Sequence, residues 1–205
     1  MFTLNRLSNK NNFYQKLKEL DFILLACILL LGFISLTTMY STDGGEVLFH
    51  TRSHFTKFFI FTSLMLLISF LNIRFWFSIG YVTYIIVIAM LIWTVNFGVT
   101  ASGSQRWIDL YFINIQPSEL MKIFIILCLA KYFHRRKIEN VNSFYSLIIS
   151  LIIIFLPMSL VVIQPDLGTA LLISISGIMV LWFAGLNQKY FFYSFLISVL
   201  SLPFI

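Results

Sequence analysis

The sequence predicts an all-α protein: a polytopic bundle of about seven membrane-spanning helices with a cytoplasmic N-terminus. Three observations carry that reading. The 205 residues are 60% hydrophobic and only 11% charged, with mean hydropathy +0.93, more apolar surface than a soluble domain of this size can hide. The apolar residues fall into long runs separated by short polar links. The basic residues are shared unequally between alternate links.

The runs follow in order. Residues 1–20 form a polar N-terminal segment with Arg6, Lys10, Lys16 and Lys18, followed by an apolar run too long for a signal peptide. Residues 21–205 then read as one membrane domain, with no separate soluble domain. The first span covers Asp21 to Tyr40, long enough to cross about 30 Å of hydrocarbon at 1.5 Å per residue. A polar loop from Ser41 to His54 carries the turn signal Asp43-Gly44-Gly45-Glu46. The second span covers Phe55 to Leu71 and the third Phe75 to Asn96, joined by Asn72-Ile73-Arg74. A polar interruption follows, and the fourth span runs from Pro117 to Phe133. The fifth covers Phe144 to Ile163, with Pro157 expected to kink it. Gln164-Pro165-Asp166 starts the sixth, which ends near Leu186. From Tyr190 to Ile205 a helix would extend only about 24 Å, so the seventh span reads as truncated and the chain as the front of a longer protein.

Charge placement orients the bundle. With the N-terminus inside, the inner segments hold Arg6, Lys10, Lys16, Lys18, Arg74, Lys131, Arg135, Arg136, Lys137 and Lys189. The outer ones hold Arg52, Lys57 and Arg106, while Lys122 is embedded in a helix. The net charge of +6 lacks the basic, aromatic-interleaved face of a nucleic-acid binder. Cys27 and Cys128 sit in apolar runs and read as buried filler. His50, His54 and His134 occupy loop positions without metal-ligand spacing.

The polar interruption from Ala101 to Lys122 organises the rest. Pro117 suits a first helical position, having no N–H to leave unpaired. Glu119 then falls in the first turn, beside the positive end of the helix dipole, and Lys122 lies on its face. Asp166 repeats the pattern as a carboxylate following a helix-starting proline. Topology brings Arg106, Gln116, Glu119, Lys122, Gln164 and Asp166 to one outer surface, where cations and helix N-termini favour a phosphate or pyrophosphate. Trp107, Tyr111 and Phe112 suit the headgroup layer. Taken singly, each residue has a plainer role. Glu119 and Asp166 serve as caps, Lys122 as a snorkelling partner, Arg106 as a headgroup anchor, Asp109 as a turn residue and Trp107 as a belt residue. Arg135-Arg136-Lys137 reads as a topology determinant.

Three segments carry a resemblance. Gly103-Ser104-Gln105-Arg106-Trp107-Ile108-Asp109-Leu110, Gln116-Pro117-Ser118-Glu119-Leu120-Met121-Lys122 and Gln164-Pro165-Asp166-Leu167-Gly168-Thr169-Ala170 resemble successive motifs of the SEDS family (shape, elongation, division and sporulation), nearest its rod-shape (RodA) branch. Ser176-Gly177 and Ala184-Gly185-Leu186 add to the likeness, and Ser104 departs from it where alanine is common. The likeness covers essentially the whole chain but only about the first half of a family member. It implies a multi-pass protein of the bacterial inner membrane that polymerises lipid II, an undecaprenyl-pyrophosphate-linked disaccharide–peptide. It further implies a class B penicillin-binding protein and other elongation-complex membrane proteins as partners. No cofactor is evident in the residues; the family leaves room for a divalent cation. The family's essential aspartate lies in a large loop after the seventh span, so no residue of this chain is assigned as catalytic. Arg106, Gln116, Glu119, Lys122, Gln164 and Asp166 are assigned to the substrate pocket. The chain alone is therefore expected to be inactive in polymerisation. Two other readings remain open: a flippase for lipid-linked precursor, and a non-catalytic scaffold or remnant that binds a penicillin-binding protein.

Overall fold

The computed structural model describes residues 18, 20–101, 104–110, 114–134, 136 and 138–192. Residues 1–17 and 19 of the basic N-terminal segment, Gly103, Tyr111, Phe112, Arg135, Lys137 and the seventh span beyond residue 192 lie outside them. The chain divides into two compact units, Met1–Asn72 and Ile73–Ile205.

The first unit is a hairpin of α1 (Phe22–Thr42) and α2 (Phe49–Ser69). Asp21 caps α1, its carboxylate accepting from the N–H groups of Ile23 and Leu24 at 3.0 Å. α2 starts six residues earlier than its apolar run suggests, so His50 and His54 are helical rather than in a loop. The reason lies across the hairpin. Asp43, in the turn after α1, accepts from the Thr51 N–H at 2.8 Å and its hydroxyl at 2.6 Å, satisfying first-turn donors of α2 that polar residues alone leave open. Further in, the Ser35 hydroxyl meets His54 Nε2 at 2.8 Å. Cys27 is exposed on α1, not buried as its run implied.

The second unit contains α3 (Ile73–Phe97), β1 (Val99–Ala101), β2 (Ser104–Asp109), β3 (Asn114–Ile115), α4 (Pro117–His134), α5 (Ile138–Val141), α6 (Phe144–Ile163) and α7 (Leu167–Phe183). The central interruption is thus not a plain loop. It folds into an antiparallel three-stranded sheet, in the order β1-β2-β3, within an otherwise helical chain. A peptide at the edge of an apolar layer must pair its N–H and C=O groups, and a small sheet does so within the segment. α4 packs against both α3 and α7. Its buried residues Ser118, Met121, Ile125, Cys128, Leu129 and Phe133 recur at three- and four-residue steps and form one stripe. That stripe meets Val87 and Leu91 of α3 and Ala170, Ile173 and Leu181 of α7 in one core. The opposite faces are apolar and exposed, as at Ile85, Phe155, Leu171 and Phe183, which suits lipid as the solvent. Small residues let helices approach closely. A Cβ on Gly80 would lie 3.2 Å from the Leu127 carbonyl oxygen, and one on Gly177 2.6 Å from Ile154.

α1, α3 and α6 are long and apolar enough to cross a membrane, and α7 is a shorter apolar helix. α6 continues through Pro157 without interruption. Proline has no N–H for the carbonyl four residues back, which here is Ile153. The Tyr84 hydroxyl of α3 donates to that carbonyl at 2.9 Å. A side chain on one helix thereby repairs the backbone defect of another.

This packing makes two expectations. Replacing Tyr84 with Phe should cost about 0.6–1.5 kcal/mol in a reversible unfolding titration. The same change in a Pro157→Ala background should cost little, because residue 157 then supplies its own N–H; an equal loss in both backgrounds would refute the repair. For the hairpin, hydrogen bonds from the Thr51 hydroxyl and then its N–H hold the Asp43 carboxyl below its usual 3.8. A depressed folded-state pKa means that the stabilisation is fully present above pH 3.8 and is lost as pH falls through the lowered value. Stability of the α1–α2 hairpin, followed by hydrogen exchange, should therefore drop in strong acid for the parent chain and respond less in Asp43→Asn.

Candidate functional site

The sheet, the start of α4 and the corner between α6 and α7 meet at one end of the second unit. α6 ends at Ile163, and α7 begins only at Leu167. Asp166 is accordingly the cap before α7 and not a first-turn residue like Glu119. Its Oδ1 accepts from the Thr169 N–H at 3.2 Å. Pro117 opens α4 as its sequence position predicts, and Glu119 sits in the first turn.

At the corner, the carbonyls of Gln164 and Pro165 point away from any helix ladder. Arg106, in the middle of β2, reaches both: Nε donates to Gln164 O at 3.2 Å and an Nη to Pro165 O at 2.7 Å. Its other Nη lies 3.5 Å from Asp166 Oδ2. Gln116, just before α4, donates its amide N–H to the same Oδ2 at 3.0 Å. The Gln164 side chain turns inward, is 3% exposed, and donates to Thr94 Oγ1 at 2.9 Å and Leu91 O at 3.2 Å on α3. Thr94 in turn donates to Leu91 O at 2.9 Å. Four of the six sequence-predicted residues thus form one network spanning α3, β2, α4 and the α6–α7 corner.

The other two stand apart from it. Lys122 Nζ lies 2.8 Å from both carboxylate oxygens of Glu119. The Glu119 side chain is 54% exposed and that of Lys122 26%, so the pair is solvated and contributes little to stability. The two subsets share one end of α4, since Gln116 and Glu119 flank its start.

This geometry changes the electrostatic expectation. Neither cation is unpaired: Arg106 faces Asp166, and Lys122 faces Glu119. The four charges sum to zero, so anion affinity here depends on the guanidinium N–H groups not turned to the corner, on Lys122 and on the start of α4. Trp107 pairs in register with Val99, and Asp109 with Asn114, so Asp109 ends a strand rather than making a turn. The donor set does not suit a divalent cation: Asp166 is engaged by Arg106, Gln116 and the Thr169 N–H. Among the described residues no three His, Cys, Asp or Glu side chains gather.

Thr94 escapes sequence inspection, being one hydroxyl in the apolar run of α3. So does Ser118, whose buried Oγ lacks a partner among the described residues. Only the Gln-Pro pair hints that Gln164 needs buried acceptors.

A family model described as cell cycle protein, covering FtsW, RodA and SpoVE, matches residues 18–205. The peptidoglycan glycosyltransferase MrdB of Escherichia coli K12 is 31% identical over 185 residues, 88% of this chain and 48% of MrdB. A probable peptidoglycan glycosyltransferase FtsW of Buchnera aphidicola (subsp. Baizongia pistaciae) is 30% identical over 180 residues, 85% of this chain and 47% of that protein. The crystal structure of Thermus thermophilus RodA is similar at TM-score 0.72 with 23% identity, over 88% of this chain and 59% of that one. A chain from a peptidoglycan synthase complex, solved to explain how polymerization and crosslinking are coordinated, matches at TM-score 0.77 with 22% identity, over 89% and 53%. These two likenesses establish the fold. The chain spans about half the length of the curated relatives it matches.

The tie from β2 to the corner rests on Arg106 having a fork of donors. Arg106→Lys keeps the charge but not the fork, and is expected to lower unfolding stability by about 1–2 kcal/mol. Pairing Arg106→Ala with Asp166→Ala in a double-mutant cycle should give a coupling near ~1 kcal/mol, reduced from buried values by partial exposure. Strict additivity would show that the contact contributes nothing.

Proposed function

The chain belongs to the SEDS family of FtsW, RodA and SpoVE cell cycle proteins, and from that premise we propose that it forms the amino-terminal half of a RodA-type peptidoglycan glycosyltransferase. The observation that carries the proposal is the network of Arg106, Gln116, Gln164 and Asp166. It joins residues of all three family motifs at one end of a membrane bundle.

In this reading the protein is a multi-pass protein of the bacterial inner membrane, with its N-terminus in the cytoplasm and the network on the outer side. The asymmetry of Lys and Arg supports that orientation. The substrate is lipid II and the work is strand elongation. The catalytic base comes from the part of the protein beyond this half. The hydrogen-bonded, partly buried network holds β2, α4 and the α6–α7 corner in fixed relation, so Arg106, Gln116, Gln164 and Asp166 are positioning residues. The solvated pair at the first turn of α4 is what a substrate meets. Lys122 turns from Glu119 toward the departing pyrophosphate, whose charge grows as the glycosidic bond breaks. Glu119 holds Lys122 in place until then. A class B penicillin-binding protein is the proposed partner, a reading supported by the similar fold found in a peptidoglycan synthase complex.

The test joins this chain to the complementary carboxyl-terminal half of MrdB and supplies purified lipid II to the reconstituted protein. Glycan strands should appear on a gel. Lys122→Ala should lower turnover by about tenfold or more, ~1.4 kcal/mol of barrier per decade, with thermal stability unchanged. Absence of strands from the parent fusion, or full activity in Lys122→Ala, would overturn the assignment. Movement of lipid II across liposomes without polymer would favour a transporter.

A further inference from the structure

The opposite end of α4 has a feature that glycan synthesis does not use. Between residues 131 and 137 the sequence reads Lys131-Tyr132-Phe133-His134-Arg135-Arg136-Lys137, with no acid between Glu119 and Glu139. A determinant of topology needs only the charge, not a defined placement for it. Here the cations are placed. Lys131 extends along Gly80, donates to the Ser78 carbonyl of α3, and sets its ammonium 4.6 Å from the Tyr81 ring centre and 5.9 Å from that of Phe77. The His134 ring packs edge-on against the other side of this cluster, 4.7 Å from Phe77. The Arg136 guanidinium lies over Tyr132 at 4.3 Å. Among the residues whose side chains are described, which leave out Glu139, no carboxylate lies within ion-pair reach of Lys131, His134 or Arg136; the two ion pairs found are both at the other end of α4.

Aromatic faces orient a cation without neutralising it. The Lys131 ammonium has three N–H donors, and one is given to Ser78. The cluster therefore offers preorganised positive charge, without a carboxylate partner among the described side chains, where the helix leaves the apolar layer, at the depth of lipid headgroups. Basic pockets between transmembrane helices bind anionic headgroups by this chemistry. We propose that the α3–α4 end formed by Phe77, Ser78, Tyr81, Lys131, His134 and Arg136 is a binding site for the headgroup of an anionic phospholipid of the surrounding leaflet. The proposal is independent of the glycosyltransferase reading, because it concerns the other end of the helix and needs no turnover.

The experiment uses the purified chain in neutral detergent, titrated with dioleoylphosphatidylglycerol or dioleoylphosphatidylcholine. Thermal unfolding and native mass spectrometry give the readouts. Phosphatidylglycerol should raise Tm saturably, by about 5 °C or more well above Kd, and leave a retained lipid adduct; phosphatidylcholine should do neither. The double variant Lys131→Gln/Arg136→Gln should lose the shift. Arg136→Gln alone, which among the described residues gives up a ring contact with Tyr132, should at least halve it even if the double variant fails to fold. Lys189→Gln, which removes an exposed charge outside the cluster, should keep it. An equal response to phosphatidylcholine or to free glycerol phosphate would overturn the site. So would a full response in Arg136→Gln, or equal loss in Lys189→Gln.

Discussion

Between α6 and α7 the chain leaves one helix and enters another with two carbonyl oxygens, those of Gln164 and Pro165, outside either ladder. A carbonyl left unmet at a helix break is costly where it is buried, as Gln164 is, while Pro165 beside it is exposed. Arg106 brings donors to both, and its charge then requires a counter-charge, which Asp166 provides from the same corner. Asp166 is in turn held by Gln116 and by its role as the cap of α7. The small sheet exists where it does because β2 has to present Arg106 to this corner. One unmet pair of carbonyls accounts for the placement of three charged or amide side chains, those of Arg106, Asp166 and Gln116, from three separate stretches of sequence.

Much of this architecture is legible in the amino-acid sequence, and what is not legible has physical causes. Long apolar runs locate the helices of the second unit to within a few residues, because length and hydropathy are read directly by the bilayer. Pro117 and Glu119 are legible because a helix start has local chemistry. The apolar run of α2 puts its start six residues late, because its first turn is completed by Asp43, across a turn that no periodicity within α2 reveals. The sheet leaves no signal because β1 and β3 are only three and two residues long, and β2, though six, reads Ser104-Gln105-Arg106-Trp107-Ile108-Asp109 without apolar–polar alternation. The charge state of the site is hidden for a related reason: spacing brings cations to one end but does not say that each faces its own carboxylate.

Separating the six residues into a network with several hydrogen-bonding partners and a single ion pair also divides the chemistry. A group held by several hydrogen-bonding partners is poorly placed to respond to a substrate but well placed to keep other groups still. Gln164, at 3% exposure, meets Thr94 and Leu91 through its side chain, deep in the bundle. Lys122 is paired with an exposed carboxylate, and the exchange of Glu119 for a phosphate oxygen costs little there. The residues with the most partners are on this view the frame, and the ion pair with the more exposed carboxylate is the part that acts.

The same logic recurs along the bundle. Ile153 O, freed by Pro157, is met by Tyr84 from α3. At the far end of α7, the Asn142 carboxamide receives the Asn187 N–H at 2.7 Å and donates toward Gly185 O at 3.4 Å, closing the turn where Gly185 has positive φ. In each case a backbone defect in one helix is satisfied by a side chain distant in sequence. Truncating such a side chain leaves a carbonyl or N–H without a partner in lipid, so its effect is felt at a different element from the one mutated. Loss of activity on truncating Arg106 or Asp166 is therefore not evidence of contact with substrate. Only a variant that keeps the donors to Gln164 and Pro165 in place while altering charge at Lys122 can separate the frame from the chemistry it holds.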